Sequence, residues 1–268
     1  MDRVFTDPPA LVGHRGFGKN AEGRPVENTI ESIAAAVEEG VDWIEIDVRR
    51  TSADELVVLH DPAWTDGTVV VEQDAARLHD LGIVGLDEIL DAVPPSVGLD
   101  IEVKPGAEDA LVPPDRTPAG LLCPVLRREQ GRRPLLVTSF DPATLSHVRE
   151  RLPGVPLGYI TWLTYPLDIA VASAAQLGVE VLMAHTVSYD EPKFASRRRP
   201  GDVVEVARKA GLELGVWAPA PEHIAHYVDM GVDAITVDDV PGALAALGRG
   251  DRSRPAPPCT DGPAGAAP

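Results

Sequence analysis

The sequence predicts an α/β protein, a (β/α)8 barrel of the TIM type with one extra hairpin strand, on three observations. Short apolar runs alternate with segments of helical periodicity along most of the chain, the signature of a parallel sheet with helical crossovers. Nine strand-like runs occur, one more than an eight-stranded barrel needs, and the run at 56–60 follows its predecessor too closely for a helical crossover. Charged or proton-carrying residues end several of these runs, on the rim where such barrels place their chemistry. A doubly wound open sheet is the alternative, but no glycine-rich fingerprint follows the first strand and opens a helix.

The first run, Leu11-Val12-Gly13, ends in His14-Arg15-Gly16, so a strand delivers an imidazole and a guanidinium to its C-terminal end. After a polar loop, Ile30, Ile33, Ala34 and Val37 recur at helical spacing. Asn28 with Glu31 three residues on predicts a capping box, and Gly40 stops the helix. Trp43-Ile44-Glu45-Ile46-Asp47-Val48 alternates strictly, placing Glu45 and Asp47 on one face and the apolar residues on the other. The return run 56–60 is expected to fold back as an antiparallel hairpin about Ser52-Ala53, which would set His60 opposite Glu45.

Residues 61–79 carry little periodicity and read as a surface excursion; a short helix at 86–93 ends at Pro94-Pro95. Val97 to Lys104 repeats the earlier parity, with Asp100, Glu102 and Lys104 on one face and Leu99, Ile101 and Val103 on the other. Further strands are expected at 135–140, 156–160, 179–185, 212–217 and 234–238, separated by helices near 118–130, 142–151, 167–177, 202–210 and 221–229. One of these strands ends at His185 and another at Trp217. The expected organisation is a single barrel domain over 1–248 and a disordered Pro/Gly/Ala-rich tail over 249–268.

The 268 residues suffice for one such barrel, and the net charge of -18 argues against nucleic-acid or anionic-membrane partners, which require a basic patch. The two cysteines form no metal-ligand spacing. No leader-like or membrane-spanning apolar run is found, so a cytoplasmic protein without integral membrane association is expected.

Glu45, Asp47 and Glu102, converging from two strands, make an oxygen-rich site for a hard divalent metal ion, Mg²⁺ or Ca²⁺. Arg15 and Lys104 add positive charge on the same rim, which suits an anionic ligand, and His14 and His60 supply groups that titrate near neutrality. Metal, cations and imidazoles together point to phosphoryl transfer. Other residues admit two readings each. Asn28 caps a helix or touches substrate; His185 reaches the ligand or is a satisfied core histidine; Trp217 stacks on substrate or fills the core.

In order and spacing, His14-Arg15-Gly16, Glu27-Asn28-Thr29, Glu45-Ile46-Asp47-Val48, His60-Asp61-Pro62, Glu102-Val103-Lys104 and Ser139-Phe140-Asp141 resemble the glycerophosphodiester phosphodiesterase family over roughly residues 11–245. The resemblance implies a phospholipase-C-like phosphodiesterase barrel that hydrolyses small-molecule glycerophosphodiesters to glycerol 3-phosphate and an alcohol. It implies Glu45, Asp47 and Glu102 as metal ligands, His14 and His60 as general base and acid, and Arg15 and Lys104 as phosphate ligands. Trp217-Ala218-Pro219-Ala220 departs from the family pattern by lacking polar groups after the tryptophan, which bears on the alcohol rather than on the reaction. Two other functions compete. A phospholipase D-type enzyme acting on lysophospholipids would need an apolar groove or lipid-facing loop, for which 61–86 offers little. A non-catalytic phosphate-binding barrel would have no use for two proton-transfer groups.

Overall fold

A computed structural model describes residues 3–19, 23–190 and 198–249. Eight parallel strands close into a ring. They are β1 (Ala10–Gly13), β2 (Trp43–Arg50), β4 (Gly98–Val103), β5 (Leu135–Ser139), β6 (Leu157–Ile160), β7 (Val181–His185), β8 (Glu213–Trp217) and β9 (Ala234–Val237), and β9 pairs back onto β1. The ninth strand, β3 (Leu56–Val58), lies antiparallel on the far end of β2, so the extra strand is the hairpin return.

Crossovers are made by α1 (Ile30–Glu39), α2 (Ala75–His79), α3 (Leu86–Ala92), α4 (Pro118–Glu129), α5 (Pro142–Arg151), α6 (Leu167–Leu177), α7 (Thr186–Asp190), α8 (Pro200–Lys209) and α9 (Ile224–Met230), and α10 (Val240–Ala246) follows the last strand. The predicted disordered tail falls, from residue 250 on, outside the described residues.

Strand parity sorts the core. Ile44, Ile46 and Val48 of β2 and Leu99, Ile101 and Val103 of β4 pack outward, in one apolar layer with Ile33 of α1, Ile89 of α3 and Leu122 of α4. The opposite parity fills the barrel. On β5 to β9 that interior is apolar as well, with Leu136, Ile160, Val181, Met183 and Ala234 joined by Val12 and Trp43. Strands covered on both faces need no polar alternation, which is why these runs read as continuous apolar stretches. Small residues make room for the large ones. A Cβ on Gly98 would stand 2.1 Å from the Trp43 ring, and one on Gly215 would stand 2.1 Å from the Met183 sulfur. The N-terminal segment closes the bottom, where Phe5 meets Trp43 edge-on and the Val4 and Phe5 amides donate to Glu213.

Three local expectations are corrected. The hairpin register pairs Val48 with Val58 and Arg50 with Leu56, so residue 60 does not face residue 45. The turn takes an extra residue, with Thr51 donating to the Glu55 carbonyl and Asp54 in the left-handed region at φ 62°. The helix cap is Thr29, whose hydroxyl accepts from the Ser32 amide; Asn28, at φ 59°, is drawn inward instead. Residues 61–85 are more than a surface excursion. Leu78, Val70 and Ile83 bury against Val57 in a small satellite core that α2 completes, capped by Asp74. Its apolar residues are too few and too irregularly spaced to show in a periodicity scan. A further helix, α10, closes the ring after β9, with Asp239 accepting from the Gly242 amide at its start.

Candidate active site

The C-terminal ends of the strands open into one cavity of about 540 Å³, lined on one side by His14, Arg15, Glu45, His60, Glu102 and Lys104. At its base, Glu45, Asp47 and Glu102 each offer an oxygen within 4.8 Å of the others, and all three residues are buried. Adjacent-strand register explains the convergence, since Asp47 of β2 sits directly beside Glu102 of β4 and Glu45 beside Asp100.

The carboxylates are partly satisfied by protein groups. Glu45 Oε2 accepts from the Arg15 amide at 2.9 Å, while its Oε1 has no hydrogen-bond partner. Asp47 Oδ2 accepts from Asn28 Nδ2 at 2.9 Å and faces Arg15 Nε at 3.2 Å, and its Oδ1 is 3.1 Å from Lys104 Nζ. Lys104 also pairs with Glu102. Carboxylates outnumber cations here, particularly because Arg15 also donates to Glu27 at 2.6 Å. Burial, then Asp47 and Glu102, pushes Glu45 well above the usual carboxylate range, and burial with Asp47 pushes Glu102 up to about 7. Asp100, buried and accepting from the Thr138 hydroxyl at 2.7 Å, is pushed up to about 8, chiefly by burial. Asp47 alone goes down: burial acts to raise it, but Lys104, Arg15, His60 and the Asn28 bond outweigh that. An orphaned Glu45 oxygen within an all-oxygen donor set fits a hard divalent cation, and the triad could hold one.

The two imidazoles flank the triad. His14 is held through Nδ1 by Asp238 at the end of β9, at 2.5 Å, and its Nε2 lies 3.8 Å from Glu45 Oε2. The loop that carries it is closely packed. Gly16 is at φ 93°, with Ser32 Oγ 2.6 Å from where a Cβ would be, and Gly18 packs directly on the Asp238 backbone. His60 reaches the cavity after β3 has ended. Arg49 donates to its carbonyl at 2.8 Å and 2.5 Å, and its Nδ1 lies 2.7 Å from Asp61. Burial lowers its pKa, with Lys104 and Arg15 adding to that and Asp47 opposing.

The remaining predicted residues occupy distinct places. Trp217 lines the cavity. His185 is absent from the lining; its ring packs edge-on against Trp217 at 4.3 Å and accepts the Val187 amide through Nδ1. Asn28 sits behind Asp47, as an anchor of that carboxylate. Asp238 and Arg49 carry no functional assignment from the sequence, and Phe140 enters there only within the motif Ser139-Phe140-Asp141; it lines the cavity. Asp238 does carry a legible sign, since it ends a strand on the same parity as Thr236, which also lines the cavity.

Residues 14–241 match the Glycerophosphoryl diester phosphodiesterase family. A glycerophosphodiester phosphodiesterase of Caldanaerobacter subterraneus is 25% identical over 254 residues, covering 85% of this chain and 93% of that one. Among solved structures, a phosphodiesterase of Oleispira antarctica in complex with the product sn-glycerol-3-phosphate superposes with a TM-score of 0.76 at 22% identity, over 92% of this chain and 100% of that one. The glycerophosphodiester phosphodiesterase of Thermotoga maritima gives 0.70 at 22% identity, over 91% and 99%. The chain belongs to the glycerophosphoryl diester phosphodiesterase family, a family of phosphoric diester hydrolases.

Proposed function

We propose that this member of the family hydrolyses glycerophosphodiesters to glycerol 3-phosphate and an alcohol, with Glu45, Asp47 and Glu102 holding Mg²⁺ or Ca²⁺. One observation carries the reading: an acidic triad, two imidazoles and two cations converge at one cavity on the barrel rim. When bound, the cation supplies Lewis-acid stabilisation of the charge that develops on the phosphoryl oxygens.

The protein's own groups do the rest. Arg15 and Lys104, each already fixed by carboxylates, hold the non-bridging oxygens of the diester and add to the charge neutralisation. His14 acts as the base, with Asp238 on Nδ1 leaving Nε2 to take a proton from the attacking water. His60 acts as the acid, giving a proton to the oxygen of the departing alcohol. Its depressed pKa moves back toward the charged form when an anionic diester docks beside it. Trp217 packs on the glycerol, His185 supports that ring, and Asn28 keeps Asp47 in place. Among the described residues no helix is long and apolar enough to cross a membrane, which suits a soluble substrate met in the cytoplasm.

The test is release of glycerol 3-phosphate from glycerophosphocholine, with and without EDTA, for the wild type and His60→Ala. Turnover that EDTA abolishes and that the variant loses by about 10²-fold or more matches the loss of a proton-transfer group. No release from several glycerophosphodiesters with metal supplied would sink the reading.

A further inference from the structure

Resting on that function, we propose that Arg49 is a specificity residue, which makes the site prefer diesters whose departing alcohol carries a carboxylate. Arg49 stands on β2 with the parity of Glu45 and Asp47, so the inward row of that strand ends at the rim in a guanidinium. It is half-buried and lines the cavity together with His60, the group that serves the departing alcohol.

The cations around the cavity differ in what already holds them. Arg15 pairs with Glu27 at 2.6 Å and with Asp47 at 3.2 Å. Lys104 lies 3.1 Å from Asp47 and also pairs with Glu102, and Lys19 lies 3.7 Å from Asp238. Arg49 has no carboxylate within 4.0 Å among the described residues. Asp47, Asp61, Glu102 and Asp109 act on it from farther away, and each has a nearer partner. Lys104 takes Asp47 and Glu102, His60 takes Asp61 at 2.7 Å, and Arg50 takes Asp109 at 3.0 Å. Burial works against the Arg49 charge, so an anion docking there offsets the desolvation.

The guanidinium also has a free edge. Nε and Nη2 donate to the His60 carbonyl at 2.8 Å and 2.5 Å, which occupies the side-on edge. The end-on edge, Nη1 with the second hydrogen of Nη2, has no acceptor among the described residues. Two parallel N–H donors there match the two oxygens of a carboxylate. One unpaired cation balances one negative charge, whereas a dianionic phosphate monoester would leave an excess near the acidic triad. A quaternary ammonium would meet Arg49, Lys104 and, as the proton is given up, the His60 imidazolium. An amino group on the same alcohol can stay in water beside Asp61, whose side chain is 73% exposed. Serine has both groups. In its diester the oxygen of water bonds to phosphorus and the bond from phosphorus to the serine oxygen breaks. The proton from water ends on that oxygen, leaving glycerol 3-phosphate and free serine.

The experiment compares kcat/KM for glycerophosphoserine and glycerophosphoethanolamine, which differ only by the carboxylate, with metal present. The serine diester should be preferred by about tenfold or more, as for one charge-assisted hydrogen bond. Arg49→Gln keeps a donor for the His60 carbonyl but removes the charge, and should bring the ratio of the two substrates close to one, chiefly through KM for the serine diester. Arg49→Lys keeps the charge without the fork and should retain part of the preference. A wild-type ratio near one, with both diesters turned over, overturns the proposal and leaves the function above intact. A preference that survives in Arg49→Gln, with both substrates slowed alike, also overturns it and assigns Arg49 to the support of His60 alone. No turnover of any glycerophosphodiester overturns the underlying function as well.

Discussion

The two halves of the barrel mouth are built on opposite principles. The half on β1, β2 and β4 gathers Glu45, Asp47, Asp100, Glu102, Arg15, Lys104 and His14 at low exposure. The half on β5 to β8 presents Leu136, Phe140, Ile160, Met183 and Trp217. Burying charge costs free energy that neighbouring charges only partly return, whereas burying apolar surface stabilises directly. The comparison teaches that the charged half is held in place by the fold, and that the apolar half helps to make the fold that holds it.

The sharpest way to break this contrast is Glu45→Gln. Turnover is expected to fall by about 10³-fold, as for the loss of a charge-stabilising group. In the metal-free protein, however, Tm should rise at about pH 8, because an uncompensated carboxylate has been removed. A variant that is both inactive and less stable would show that Glu45 also supports the fold. The converse experiment is Met183→Ala in the apolar half. Met183 is 3% exposed and lies over Gly215, so truncation should cost about 2–5 kcal/mol in denaturant unfolding. The chemical step should change much less, and a turnover loss matching that of Glu45→Gln would erase the division.

The smallest effect is on pH dependence. Glu102 moves from its ordinary 4.5 to about 7 and Asp100 from 3.8 to about 8, so the native state holds more protons than the unfolded chain between those values. Their contribution is fully present below the unfolded pKa and is lost as pH rises through the folded one. A divalent cation takes the place of those protons. The metal-induced gain in Tm should therefore be a few degrees larger at about pH 8 than at about pH 5.5. An increment independent of pH, measured by scanning fluorimetry, would remove these carboxylates from the metal site.

Much of the charged half was legible because strand parity is strict. Glu45, Asp47, Glu102 and Lys104 could be assigned to one face from alternation alone, and adjacent register then brings Asp47 beside Glu102. His60 was placed at the site, but by the wrong route. The hairpin was expected to carry it opposite Glu45; instead the register pairs Val58 with Val48, the Leu59 amide makes a last bond to the Asp47 carbonyl, and Arg49 holds the His60 carbonyl. A turn with one extra residue shifts every pair beyond it, and nothing in 51–55 announces that shift. Asn28 shows the same limit. Its type and spacing suit a cap, yet Thr29 takes that role and Asn28 turns to Asp47 across nineteen positions of sequence.

The sequence by itself determined the alternation of strands and helices, the closed barrel with its extra hairpin strand, and the residues that end the strands. These follow from periodicity, which is local and repeats every two or 3.6 residues. Only the tertiary structure decided that Asp238 grips His14 from 224 positions away, and that His185 stands behind Trp217 rather than in the cavity. It also decided that Trp162 and Leu163 extend an aromatic wall to the rim. Ring closure sets those contacts by bringing β9 beside β1 and aligning the strand ends around one axis, and such long-range pairings leave no periodic trace in the chain.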